Sequence, residues 1–235
     1  LMMRAIRACY RTWPGFGIRI SAQQYLIGFY ERMGFATVGE GYLEDDIPHI
    51  QMFRPWDDLA AWRARHEEAV HEFADCLRTL PVDSLQGSES HWGGLQVLEH
   101  LRRSEHGTWS YLVKKAQAQP AALPACDAKS DARGIELIRA LESDVRWTDP
   151  TPGGALSPSP SDHTDVEQAI SNWMEAIAEG FGRLDALYAA REWWKVQVFK
   201  HPIAGRIGLA DTLAFGAAHV RHHLHQLKRI AESES

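Results

Sequence analysis

Near the C-terminal end of the 235-residue chain, the segment AHVRHHLHQL places His219 and His223 four positions apart. On a helix, residues four apart share one face a single turn apart, so both imidazoles reach the same ion. Leu213, Val220, Leu224 and Leu227 bracket that face and set the pair at the border of a helical interior. His222 and His225 then point elsewhere, to the surface or to the periphery of such a site. Two ring nitrogens do not close a tetrahedral site, so a third donor must come from another helix. His100 in VLEHL, beside Val97 and Leu101, is the candidate. Imidazole donors suit Zn²⁺, Ni²⁺ or Fe²⁺ better than Ca²⁺ or Mg²⁺. Three protein ligands leave a position for water or substrate, the mark of a reactive site rather than a structural one. The bland reading is that an i, i+4 His pair arises by chance, the more so among 12 histidines. His66, on an apolar helix stripe, reads as a core-edge histidine satisfied by a neighbour. Glu105 and His106 are the nearest candidates for a general base, and both are expected to be solvated.

The remaining composition narrows the partners. A formal net charge of −6, with no run of Lys or Arg, argues against a nucleic-acid backbone, which needs clustered cations. No apolar stretch approaches the roughly 20 residues that span a bilayer. LMMRAIRACY lacks the charged-then-apolar pattern of a secretory signal and reads as an amphipathic helix. Cys9, Cys76 and Cys126 are odd in number and show no CxxC spacing, which fits free thiols in a reducing cytoplasm. The expected partners are a small-molecule substrate and, as an option, a second copy of the chain, with neither nucleic acid nor membrane.

The elements that must position these residues divide near Arg54-Pro55. Residues 1–11 read as a helix, WPGFG as a turn and residues 18–20 as a short β run. SAQQYLIGFYERMGF reads as a helix with Ser21 as N-cap and Gly34 as its stop. ATVGE and IPHIQMF are strand candidates around an acidic turn, and the small open sheet would lack neighbours on at least one edge. After Pro55 the pattern is helical. Leu59, Trp62, His66, Val70, Phe73, Leu77 and Leu80 recur at steps of three and four until Pro81. A second helix is expected over about 92–118, a third carries Val166, Ile170, Trp173, Ile177, Phe181, Leu184 and Tyr188, and the last runs over about 209–231. Between the second and third lies a loop-rich region, about 119–163, with a short helix near 135–141 and TPGGALSPSPSD as its most loop-like part. Four long helices joined by loops predict an antiparallel bundle. The fold class expected is thus mainly α, with residues 1–54 a small α/β segment and 55–235 a four-helix unit.

Two resemblances sharpen this. VLEHLRRSE, the turn His201-Pro202 with Gly205, and His219, His223 and Gln226 together resemble the DinB/YfiT-like family over about residues 56–235. The resemblance implies an up-down-down-up four-helix bundle with a divalent metal held in its core by three side chains, which fall on His100, His219 and His223. It also implies a Zn- or Ni-dependent S-transferase or isomerase using a low-molecular-weight thiol as co-substrate. A metal-dependent hydrolase and a non-enzymatic stress-related metal binder are the alternatives, and no catalytic side chain is singled out. Trp92, Trp109, Trp193 and Trp194 would wall a substrate pocket or belong to the core.

Residues 1–54 resemble the last part of an ElaA-like GNAT acetyltransferase. SAQQYLIGFYERMGF matches that fold's late helix, with Tyr30 at the tyrosine near the acetyl-CoA sulfur, and YLEDDIPHIQMF matches its closing strands. The glycine-rich pyrophosphate loop would precede Leu1, so the segment is expected to be a truncated fragment that does not bind acetyl-CoA.

Overall fold

The computed structural model describes residues 1–87, 92–143 and 165–232, and it divides into two units, Leu1–Asp58 and Leu59–Ser235. It is mainly helical, with a small sheet in the first unit.

The first unit runs α1 (Met2–Thr12), β1 (Ile18–Gln23), α2 (Ile27–Glu31), β2 (Ala36–Glu44) and β3 (Ile47–Arg54). The antiparallel sheet has the order β1-β3-β2, so among the described residues both outer strands carry an unpaired edge. Asp45 and Asp46 turn β2 into β3 with φ of 48° and 61°, the two left-handed positions of a tight hairpin, which Asp tolerates better than most residues. The helix expected from Ser21 starts later and is shorter. Ser21 lies in β1 opposite Gln51, and its hydroxyl meets Tyr42 Oη at 2.6 Å and Glu44 at 3.0 Å instead of capping a helix. Sheet pairing has overridden local helix propensity there. Gly34 does end the helical turn, with φ of 81°. Beyond β3, Tyr10 donates to Asp57 Oδ2 at 3.0 Å, Arg54 pairs with Asp57 at 2.5 Å, and the Trp56 ring meets Tyr10 at 4.4 Å. These contacts carry the first unit on to Asp58.

The second unit contains α3 (Leu59–Arg78), α4 (Val82–Leu85), α5 (Gly94–Lys115), α6 (Ala128–Glu142), α7 (Val166–Leu187), β4 (Phe199–His201), β5 (Gly205–Ile207) and α8 (Leu209–Glu232). Helix α8 packs on α3, α5 and α6, and α7 packs on α3 and α5. Phe73, Leu77, Leu98, Leu101, Leu112, Trp173, Phe181, Leu184, Tyr188 and Leu227 are fully buried in one shared core. The loop-rich region holds more helix than its composition suggests. Asp127 Oδ1 accepts from Ser130 N at 2.7 Å, and Ser130 Oγ accepts from Asp127 N at 2.8 Å, a capping box that starts α6 seven residues before the expected helix. The segment TPGGALSPSPSD lies outside the described residues. The turn at His201-Pro202 joins β4 to β5 as a two-stranded hairpin.

Among the described residues, no helix is long and apolar enough to cross a membrane.

The two units differ sharply in buried apolar side chains. The first buries Ile6, Tyr10, Ala22, Phe35 and Met52, while Trp13, Phe16, Tyr25 and Leu43 stay exposed. Each large apolar side chain taken from water contributes about 1.5–3 kcal/mol, against about 1–2 kcal/mol per residue for ordering the backbone. Amide exchange should therefore be fastest within Leu1–Asp58, and slowest in α5, α7 and α8. Equal protection across the whole chain would contradict this ordering.

Candidate metal centre

The bracketing leucines do on α8 what their spacing demands. Leu213, Val220, Leu224 and Leu227 are buried, and His219 and His223 stand on the adjoining strip. Helix α5 brings His100 to the same point. Its N-terminus is held by Gln96, whose side-chain oxygen accepts from Gly93 N at 2.9 Å. His219 Nε2 lies 3.3 Å from His100 Nε2 and 3.1 Å from His223 Nε2, and one nitrogen from each of the three rings falls within 4.8 Å of the others. Two nitrogens bound to one tetrahedral ion at about 2.0–2.1 Å stand roughly 3.3–3.4 Å apart, so the spacing fits three imidazole ligands. His100 and His219 are partly exposed as residues, whereas His223 is buried.

The neighbours fix the rings. His223 Nδ1 is 2.8 Å from Gln226 Oε1, an acceptor only, so Nδ1 carries the hydrogen and Nε2 presents a lone pair. Phe215 stacks on His219 at 5.2 Å and 15° between planes. His201 packs edge-on against Phe215 at 4.9 Å, and its Nδ1 accepts the N–H groups of Ile203 (3.2 Å) and Ala204 (3.1 Å). Gly205, with φ of 81°, completes that turn, so the hairpin buttresses His219 through Phe215. On the other side, Trp92 lies 5.1 Å from the His100 ring.

The remaining candidates sort differently. His222 is buried rather than superficial, and its Nδ1 donates to Leu141 O at 3.1 Å, tying α8 to α6. His106 is exposed as expected and lies 3.4 Å from Ser110 Oγ. Glu105 is a correction. It is buried rather than solvated, accepting from His66 Nε2 at 2.8 Å and Trp173 Nε1 at 2.5 Å. Sequence position held the signal, because Glu105 is in phase with Leu101, Thr108 and Leu112 on the inward stripe of α5. Glu99, next to His100, is engaged by Arg102 and Arg103; burial alone would raise its carboxyl, but those bonds carry it below its ordinary range. Trp109 and Trp193 belong to the interior, against Phe181 and Tyr188.

Desolvation dominates the electrostatics. Burial holds His219 well below the usual histidine range, with further lowering from His223 and His100. Burial likewise brings His223 down to about 3 and His201 to about 4. All three are therefore neutral at pH 7, the form in which imidazole binds a metal.

The comparisons with known proteins bear on the N-terminal segment alone. Protein ElaA of Escherichia coli (strain K12) is 43% identical over 54 residues, which are 23% of this chain and 35% of ElaA. A UPF0039 protein of Mycobacterium tuberculosis is 49% identical over 37 residues, 16% of this chain and 24% of that relative. The crystal structure of an acyl-CoA N-acyltransferase from Pseudomonas aeruginosa matches at 51% identity over 23% of this chain and 36% of that one, with a TM-score of 0.22. The chain thus spans about a third or less of the length of these relatives. No protein-family model matches the chain. The ElaA-like resemblance of the N-terminal segment is supported, at the level of a fragment.

The depressed histidines make stability depend on pH. Each binds a proton more readily in the unfolded chain, near pH 6.5, than in the folded one, near pH 4 for His201. Between those values the unfolded state holds more protons, so stability rises with pH and is lost as pH falls from about 6.5 to about 4. Urea midpoints of metal-free protein should drop steadily over that window. His201→Gln, which can still accept the turn's N–H groups, should flatten part of the slope; an unchanged slope in that variant would contradict the assignment.

Proposed function

We propose that the second unit is a DinB/YfiT-like metal-binding domain, acting as a metal-dependent S-transferase on a low-molecular-weight thiol and a small electrophilic substrate. The observation that carries this reading is the convergence of three imidazoles: His219 Nε2 lies 3.3 Å from His100 Nε2 and 3.1 Å from His223 Nε2, with one nitrogen of each ring within 4.8 Å of the others. The helix pairings support the bundle it requires. Along α3, Phe73 meets Trp173 and His66 meets Phe181, which sets α3 against α7 in the antiparallel sense. Glu105 meets Trp173 and the Leu112 carbonyl meets Tyr188, which runs α5 and α7 the same way. His66 faces Gly216 and Glu68 pairs with Arg221, which runs α3 and α8 the same way. That order of directions is up-down-down-up.

In this proposal His100, His219 and His223 hold Zn²⁺ or Ni²⁺. A dication held there supplies the charge that lowers the pKa of a coordinated thiol and keeps it as thiolate, the better nucleophile. The protein's own groups do the orienting. Gln226 keeps the His223 lone pair facing inward, Phe215 and His201 fix the plane of His219, and Trp92 covers one flank of His100. A hydrolytic reading needs a general base free to take a proton from water; both Glu105 oxygens are engaged by His66 and Trp173, and His106 is exposed. That arrangement favours thiol chemistry over hydrolysis.

Purified protein should carry about one divalent transition-metal ion per chain. His223→Ala should lose most of it, whereas His222→Ala, whose ring bonds Leu141 O, should retain it. With Co²⁺ substituted, a millimolar thiol should add an intense sulfur charge-transfer band that disappears in His219→Ala. An unchanged spectrum would remove the transferase reading, and full metal occupancy in His223→Ala would remove the site itself.

A further inference from the structure

One buried acid is left unexplained by the ligand set. Glu105 accepts from His66 Nε2 through one oxygen and from Trp173 Nε1 through the other. Each oxygen thus accepts an N–H, an arrangement that suits a carboxylate acceptor. His66 does not neutralise it. Its Nδ1 is fully buried, has no hydrogen-bond partner among the described residues, and faces the backbone of Gly216 and the rings of Phe181 and Trp109. An imidazolium would leave an N–H unsatisfied in that apolar setting, which is costly, so His66 is the neutral donor. Arg102 and Arg103, the nearest cations on α5, both bond Glu99. Among the described residues, the hydrogen bonds that Glu105 accepts come from the ring N–H groups of His66 and Trp173.

Its place beside the cluster follows from the helices. Glu105 is five residues beyond His100 on α5, and Gly216, against His66, is three residues before His219 on α8. At 1.5 Å of rise per residue the two layers are offset by about 4.5–7.5 Å along the helices. We propose that Glu105, held by His66 and Trp173, is the buried counter-charge of the three-histidine site and gives it a preference for dications over monocations. Three neutral imidazoles bring no negative charge of their own, so a bound dication would otherwise enter this interior uncompensated. The proposal rests on the metal-binding reading above.

Chelator-competition titrations of the full-length chain separate the two claims. In Glu105→Gln, Zn²⁺ affinity should fall roughly 10–100-fold, as expected for loss of a group outside the ligand shell. Anaerobic Cu⁺ affinity should fall by only about the square root of that factor, because charge–charge energy scales with the charge of the ion. A merely structural loss would weaken both ions equally. If Glu105→Gln does not fold, His66→Lys, which neutralises the same carboxylate in place, should give the same unequal losses. Equal losses, or unchanged Zn²⁺ affinity in a folded variant, would overturn the counter-charge while leaving the metal site standing. Failure of the unsubstituted chain to bind Zn²⁺ would overturn both.

Discussion

Everything at the histidine cluster depends on how closely α8 lies against α3. A Cβ at Gly216 would stand 2.9 Å from His66 Nδ1, nearer than real Cβ contacts come. Because α8 is a stiff rod, that approach also fixes His219, one turn later, against His100 on α5. The other constraints on α8 act in concert: His222 bonds the end of α6, and the β4–β5 hairpin presses His201 and Phe215 against His219. Protein interiors are close-packed and transmit strain, so a displacement of α8 at position 216 would also be felt at His219.

The long helices were legible because each repeats its apolar residues with one period. The α3 stripe from Leu59 to Leu77 and the α7 stripe from Val166 to Leu184 need no tertiary information. The histidine set was legible for the same reason, since i, i+4 spacing decides which rings share a face. Other features depended on partners far away in sequence. Ser21 has the chemistry of a helix cap, but its fate was decided by Gln51 and Glu44. The β4–β5 hairpin escaped notice because three-residue strands are too short to show alternation. The charge of Glu105 suggested solvent, yet its phase on α5 placed it inside. Where residue type and periodicity disagreed, periodicity was the better guide.

The two units embody opposite solutions to burial. Leu59–Ser235 closes a core on several helices and uses it to hold polar groups at defined points. Leu1–Asp58 places one thin sheet and two short helices over five buried apolar side chains. Its order leans instead on polar ties such as Tyr10–Asp57 and Arg54–Met33, which fix position with little apolar gain.

Trp92 gives the cluster an optical aspect. Its indole is 5.1 Å from the His100 ring, within range for an open-shell ion on that imidazole to drain the excited state. A closed-shell ion such as Zn²⁺ has no low-lying d–d states to do so. If an ion is held there as proposed, emission would differ with the electronic configuration of the occupant, and this tryptophan would report which metal is bound.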